Sequence, residues 1–225
     1  MRYNIKYIVA VLAVVLIAFS YSAYAAPAGA STNQFSEETY TSAAGTSTTE
    51  GGNVTGLNIS GDQQTVKWAG FFGNISGGIV LKDSSGDSFY EWTVSDVTNC
   101  TVYAANESVT TWSNLANAAP SNMYSWLVTA GSEDAYNETF KTEATANFNG
   151  GAITANSTTT WTSGSQGVLR TYSLIEGGGV TTLIWANKAN ASYTGFDGSL
   201  VDYQVLVPAP ESPSTLTYSF YLEIP

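Results

Sequence analysis

The sequence predicts an all-β fold: an antiparallel β-sandwich, jelly-roll or immunoglobulin-like, formed as a single main domain. Three observations carry this. Apolar and polar residues alternate with period two in several runs, as in strands with one buried face. β-Branched and aromatic residues dominate those runs. Gly-rich turns separate them about every ten residues, the rhythm of a two-sheet sandwich. Helical periodicity is expected only as one turn near residues 114–119.

The elements follow in chain order. Residues 1–25 read as a signal peptide: Arg2 and Lys6 precede an apolar stretch over 7–19, and Ala23-Tyr24-Ala25 is an A-x-A cleavage site. That stretch is shorter than the roughly 20 residues of a membrane helix. The expectation is export through the general secretory pathway, with no membrane span after cleavage. Residues 26–60 form a Ser/Thr/Gly-rich tail or linker with little to bury, holding one β-capable piece at 35–41.

Residues 61–225 form the sandwich domain. A strand is expected over 64–72, with Val66, Trp68 and Phe72 on one side. Ile79 and Leu81 follow Gly77 and Gly78. A turn at 83–87 then leads into Tyr90, Trp92 and Val94, alternating with Phe89, Glu91 and Thr93, a strand–turn–strand unit. Residues 108–137 are expected as a long loop or insertion. Strands resume over 168–174 and 180–185, and with Val201, Tyr203, Val205 and Val207. At the end Leu216, Tyr218, Phe220, Leu222 and Ile224 alternate with Thr215, Thr217, Ser219, Tyr221 and Glu223, the clearest strand pattern in the chain.

Composition removes whole classes of function. The chain has no histidine, which excludes Ser-His-Asp and Cys-His nucleophiles and histidine zinc sites. Lys and Arg number 7 against 18 Asp and Glu, a net charge of −11 that becomes −13 when Arg2 and Lys6 leave (−11 − 2). Such a surface repels nucleic acid and anionic membranes. Cys100 is the single cysteine, so no intrachain disulfide can form, and it is read as a small strand residue ahead of an intermolecular disulfide.

Eight N-x-Ser/Thr sequons stand at Asn53, Asn58, Asn74, Asn99, Asn106, Asn137, Asn156 and Asn190, more than the composition gives by chance. On an exported chain they are candidate glycosylation sites.

Other candidates are weaker. Trp68, Phe71, Phe72, Tyr90 and Trp92 form an aromatic cluster that could stack on sugar rings. Its alternation places Trp68 and Trp92 in the core instead. Of the remaining tryptophans, Trp112 and Trp126 are expected to be exposed ahead of Trp161 and Trp185. A glycosidase needs two carboxylates about 5–9.5 Å apart, and Glu91, Asp202 and Glu223 are the strand-borne choices. Oxygen-rich turns at Asp83, Asp87 and Asp197 could hold Ca²⁺, although they lack EF-hand spacing. No other cofactor is expected. The stiff run 208–213 stands before the amphipathic terminal strand. Leu216, Tyr218, Phe220, Leu222 and Ile224 therefore form a candidate assembly strand that could be passed to another subunit, with the 26–60 arm as a second candidate.

Residues 68–77 (WAGFFGNISG), 79–83 (IVLKD) and 86–92 (GDSFYEW) resemble a motif of uncharacterised secreted archaeal glycoproteins. The ending, 195–198 (GFDG), 202–204 (DYQ), 206–208 (LVP) and 218–224 (YSFYLEI), resembles the same group. The resemblance spans roughly residues 53–225 and implies archaeal surface export, with no catalytic residues attached.

The expected protein is a non-enzymatic, acidic, glycosylated extracellular β-sandwich with a structural or interaction role at the cell surface. It would be a subunit of a filament, matrix or surface layer that self-assembles by strand exchange. The alternative is a lectin-like module that binds cell-surface glycans, with a glycosidase as a remote third.

Overall fold

The computed structural model describes residues 26–225 apart from 42, 125–132, 164, 178–181 and 211–213. The expected signal peptide and Trp126 lie outside the described residues. The fold is all-β, antiparallel and sandwich-like, in a single domain.

The N-terminal part supplies β1 (Ala28–Gly29), β2 (Trp68–Gly73), β3 (Gly78–Lys82), β4 (Ser88–Thr93), β5 (Thr101–Ala105) and β6 (Leu115–Asn117). Two short helices follow, α1 (Pro120–Tyr124) and α2 (Tyr136–Thr139). The C-terminal part supplies β7 (Thr142–Phe148), β8 (Gly151–Thr162), β9 (Ser165–Glu176), β10 (Leu183–Lys188), β11 (Tyr193–Thr194), β12 (Leu200–Val201), β13 (Tyr203–Pro208) and β14 (Ser219–Glu223).

One large sheet runs in the order β1-β14-β5-β10-β9-β8-β7, with β6 also pairing β9. The hairpin β7–β8 turns on Asn149 and Gly150, at φ 46° and 78°. An Asn-Gly pair tolerates left-handed backbone at both central positions, which matches the twist of the flanking strands.

The second layer is a two-stranded ribbon. β13 pairs with β2 from Tyr203↔Gly73 to Pro208↔Trp68, and the ribbon lies over the sheet. Trp68, Val205 and Val207 pack there with Ala104 and Trp185, and α1 and α2 add Met123, Tyr136 and Phe140. Polar side chains join the layers. Asn187 Nδ2 donates to the carbonyls of Gln204 (2.8 Å) and Arg170 (2.9 Å), and the Leu206 amide donates to Thr171 Oγ1 (3.0 Å). The bonds to Gln204 and from Leu206 cross between the layers and favour one register for the ribbon.

The opposite face of the sheet carries Tyr103, Phe148, Tyr172, Leu174 and Ile184. The segment 106–114 covers part of it: the Trp112 ring packs at steep angles between Tyr103 (5.0 Å) and Tyr221 (5.1 Å). Glu176, itself buried, anchors this segment by accepting the Thr110 amide (3.1 Å) and hydroxyl (2.5 Å).

Several elements depart from the sequence expectations. The long hairpin 142–162 was not anticipated, because Thr, Ala and Asn fill both faces and blur the period. The turn expected at 114–119 is a 3₁₀ turn at Trp112–Asn114 followed by strand β6. The terminal strand begins at Ser219 instead of 215. The β-capable piece at 35–41 forms no strand, although Phe35 packs edge-on against Phe72 at 5.4 Å. Cys100 is fully buried beside Val97 and Ala189, and burial pushes its thiol up, so it is neither exposed nor activated.

A pH-dependent prediction follows from Glu176. Burial pushes its carboxyl up, but hydrogen bonds from Thr110 and Thr111 outweigh this and hold it below its ordinary value of 4.5. The stabilisation is therefore present above that value and lost as pH falls through the lower folded value. Glu176→Gln should unfold at lower denaturant than the parent at pH 7. The gap should close in parallel denaturation curves at pH 3.

Candidate functional site

The hairpin β3–β4 is set apart from both layers. Among the described residues its strands pair only with each other, and every residue from 79 to 93 is exposed. Ile79 pairs with Trp92 and Leu81 with Tyr90, so strand alternation puts these four side chains on one face. They are 49%, 51%, 50% and 56% exposed respectively. Tyr90 and Trp92 touch ring to ring at 4.6 Å. A two-stranded hairpin is marginal alone in water, and a contiguous apolar face on one marks a contact surface.

The terminal strand is what anchors the hairpin. Leu222 and Ile224 join Cys100 and Val97 in a small cluster with Ile75 and Val94, the residues flanking the hairpin's two ends. Of the candidate assembly strand, Tyr218 and Phe220 pack with the ribbon, where Phe220 meets Phe71 at 5.1 Å. Leu216 is half-buried. The strand itself is internal: β5 pairs on one side and β1 on the other, by Ala28↔Leu222 and Gly29↔Tyr221. Its outer edge is covered by those two residues and by the Ala30 amide donating to the Phe220 carbonyl (2.9 Å). From Ser31 to Val66 the described arm is exposed and strand-free.

The aromatic cluster divides. Trp68 is buried and its indole N–H donates to the Asp134 carbonyl (2.7 Å). Trp92, expected in the core, lies on the surface, because no second layer faces β4. Trp112, expected to be exposed, is half-buried and packs against the cluster of Tyr103, Phe148 and Tyr172 on the face of the sheet away from the ribbon. Trp161 is 60% exposed, although nothing in its local sequence pattern separates it from a core residue.

The strand-borne carboxylates differ in what they hold. Glu91 sits on the exposed hairpin. Asp202 accepts the amides of Ile75 and Ser192, both at 2.8 Å. Glu223 accepts the buried Tyr103 hydroxyl. Asp83 Oδ1 accepts the amides of Ser85 and Asp87, both at 2.9 Å, which closes the hairpin turn around Asp83 and Asp87. Asp197 accepts the Ser199 hydroxyl (2.6 Å) and amide (2.9 Å), which hold it below its ordinary range. These are turn-capping roles. Among the described residues no three His, Cys, Asp or Glu side chains are grouped to hold an ion.

Of the sequons, Asn53, Asn58, Asn74, Asn99 and Asn137 are exposed, and Asn74 and Asn99 flank the hairpin. Asn106 and Asn190 are half-buried. Asn156 lies inside β8, where its Nδ2 donates to the Phe140 carbonyl (3.0 Å) and its Oδ1 accepts from Asn117 (3.0 Å).

Among the described residues no helix is long and apolar enough to cross a membrane. Comparison with protein-family models found no match, and comparison with curated proteins and with solved structures found none either.

Two tryptophans of the same strand pattern should respond oppositely to truncation. Trp68→Ala should cost about 3–5 kcal/mol, the usual penalty for emptying an aromatic site in a core. Trp92→Ala should cost well under half as much. Urea denaturation of both variants checks the division between core and surface.

Proposed function

We propose that this chain is a secreted, N-glycosylated, non-enzymatic protein that makes contacts between copies at the cell surface, as a subunit of a filament, matrix or surface layer. The observation that carries the reading is the exposed strip Ile79, Leu81, Tyr90 and Trp92 on a hairpin that no other strand covers. An extracellular chain gains nothing from a contiguous apolar strip of this kind unless a partner buries it. The signal-like N-terminus, the sequons and the resemblance to secreted archaeal glycoproteins support the location. The absence of histidine, and the engagement of Asp202 and Glu223 in hydrogen bonds that hold the fold, support a role without catalysis.

Strand exchange has a specific place in this reading. The strand β14 stays in its own sheet, and the 26–60 arm is the part that moves. Only a few residues of the arm occupy the outer edge of β14. The 36 residues of 31–66 could span about 120 Å if fully extended. The same arm can thus reach the equivalent edge of a neighbouring copy, adding main-chain hydrogen bonds to the apolar hairpin contact.

Two outcomes test this. Electron microscopy and light scattering of the mature secreted protein should show filaments, sheets or oligomers. The paired change Leu81→Ser with Trp92→Ser should dissolve them while the fold survives, and deletion of 26–60 should weaken them. A mature chain that stays monomeric at every concentration removes the reading. Glycopeptide mass spectrometry should find glycans at exposed acceptors such as Asn74, Asn99 and Asn137 and none at Asn156, whose amide is engaged within the sheet.

A further inference from the structure

Far from the hairpin, at the other end of the large sheet, the first residues of β7 and the outer ends of β8 and β9 enclose an open cleft of about 560 Å³. It forms because β8 outruns its neighbour. The last β7 pair is Thr142↔Ser157, so beyond it β8 continues paired with β9 alone, to Thr162↔Ser165. A bulge between Thr159 and Trp161 swings the end of the strand, and Trp161 stands at the cleft, 60% exposed. Thr139, Thr142, Thr158 and Thr159 also line it.

The charges here are unlike the rest of the surface. Of the five cations left after signal cleavage (Lys67, Lys82, Lys141, Arg170 and Lys188), two, Lys141 and Arg170, line this one cleft. Lys67 is paired with Asp134 (3.6 Å), and Lys188 donates to the Asn99 carbonyl and the Thr101 hydroxyl, both at 2.8 Å. Among the described residues neither Lys141 nor Arg170 has a carboxylate within ion-pair distance. The guanidinium is held in place: Arg170 Nη1 donates to Ser157 Oγ (2.7 Å), which donates to the Thr142 carbonyl (2.7 Å). That leaves most of its donor fork unspent.

We propose that this cleft binds an acidic saccharide, a sugar bearing a carboxylate or sulfate. The volume lies within the range of small-ligand sites. The exposed indole offers a flat apolar face to the C–H face of a sugar ring. The Thr142 and Thr158 hydroxyls and the Glu138 carboxylate match ring hydroxyls, which donate as well as accept. Arg170 and Lys141 match one anionic group, with the planar fork suited to two-point contact. A densely charged polyanion is disfavoured by Glu138 inside the cleft and by the −11 net charge of the chain. The site is independent of assembly through the hairpin and goes beyond that reading.

The test is calorimetry on the mature chain carrying Asn137→Gln, so that no glycan one residue from Glu138 fills the cleft. The probes are trigalacturonate, a trimannuronate, a chondroitin sulfate tetrasaccharide and neutral maltotriose. At least one acidic probe should bind, weaken with added salt, and bind tenfold or more weakly to Trp161→Ala and to Lys141→Gln, with thermal unfolding unchanged. Carboxylate and sulfate probes separate the two forms of the anionic group. No binding by any acidic probe overturns the site. Binding unchanged in both variants overturns its location, and equal binding of maltotriose overturns the acidic assignment.

Discussion

The structure depends on the seating of the β2–β13 ribbon on the large sheet over Trp185. With one cysteine and no disulfide, nothing covalent restrains the unfolded chain, so cohesion comes from this layer contact. The contact is apolar at its centre, through Trp68, Val205 and Val207, and hydrogen-bonded beside it, through Asn187, Gln204 and Thr171. The apolar part supplies most of the driving force. The polar part selects the register, because a slip by one residue would leave buried amides without partners.

From that contact the rest follows outward. Asp202 lies at the start of β13 and accepts the amides of Ile75 and Ser192, so the ribbon sets where the chain enters the β3–β4 hairpin. Leu222 and Ile224 then fill the base of the hairpin from the terminal strand. The hairpin is held firmly at its root and left uncovered along its length. The cleft at Trp161 arises toward the opposite edge of the sheet, where β8 outruns β7 and the unequal strand lengths leave an opening. Both proposed contact regions thus lie where the sandwich stops covering itself, one apolar and one polar and cationic.

Legibility in the sequence varied with how many faces a residue's strand buries. The terminal run was readable because its alternation is complete, and both sides of it are used: Tyr218 and Phe220 toward the ribbon, Tyr221 and Glu223 toward the face of the sheet away from it. The hairpin β3–β4 was readable as a hairpin for the same reason, with Asp83 closing its turn. Its outward face was not, since Trp68 and Trp92 obey the same period and differ only in what lies opposite. The β7–β8 hairpin carried one usable signal, the Asn149-Gly150 turn, beside strands whose Thr, Ala and Asn content hid the alternation. Trp161 carried no signal at all.

The sequence by itself determined the all-β antiparallel class, the position of the terminal strand and the reliance on packing in place of disulfides. These are local or compositional properties: period two, turn residues and a count of cysteines. Only the tertiary structure decided that Trp92 faces solvent while Trp112 packs between two tyrosines, and that β14 is internal. It also decided that Arg170, Lys141 and Trp161 share a cleft. Exposure and convergence depend on which strand lies across from which, and strand order is a long-range property that no local period encodes.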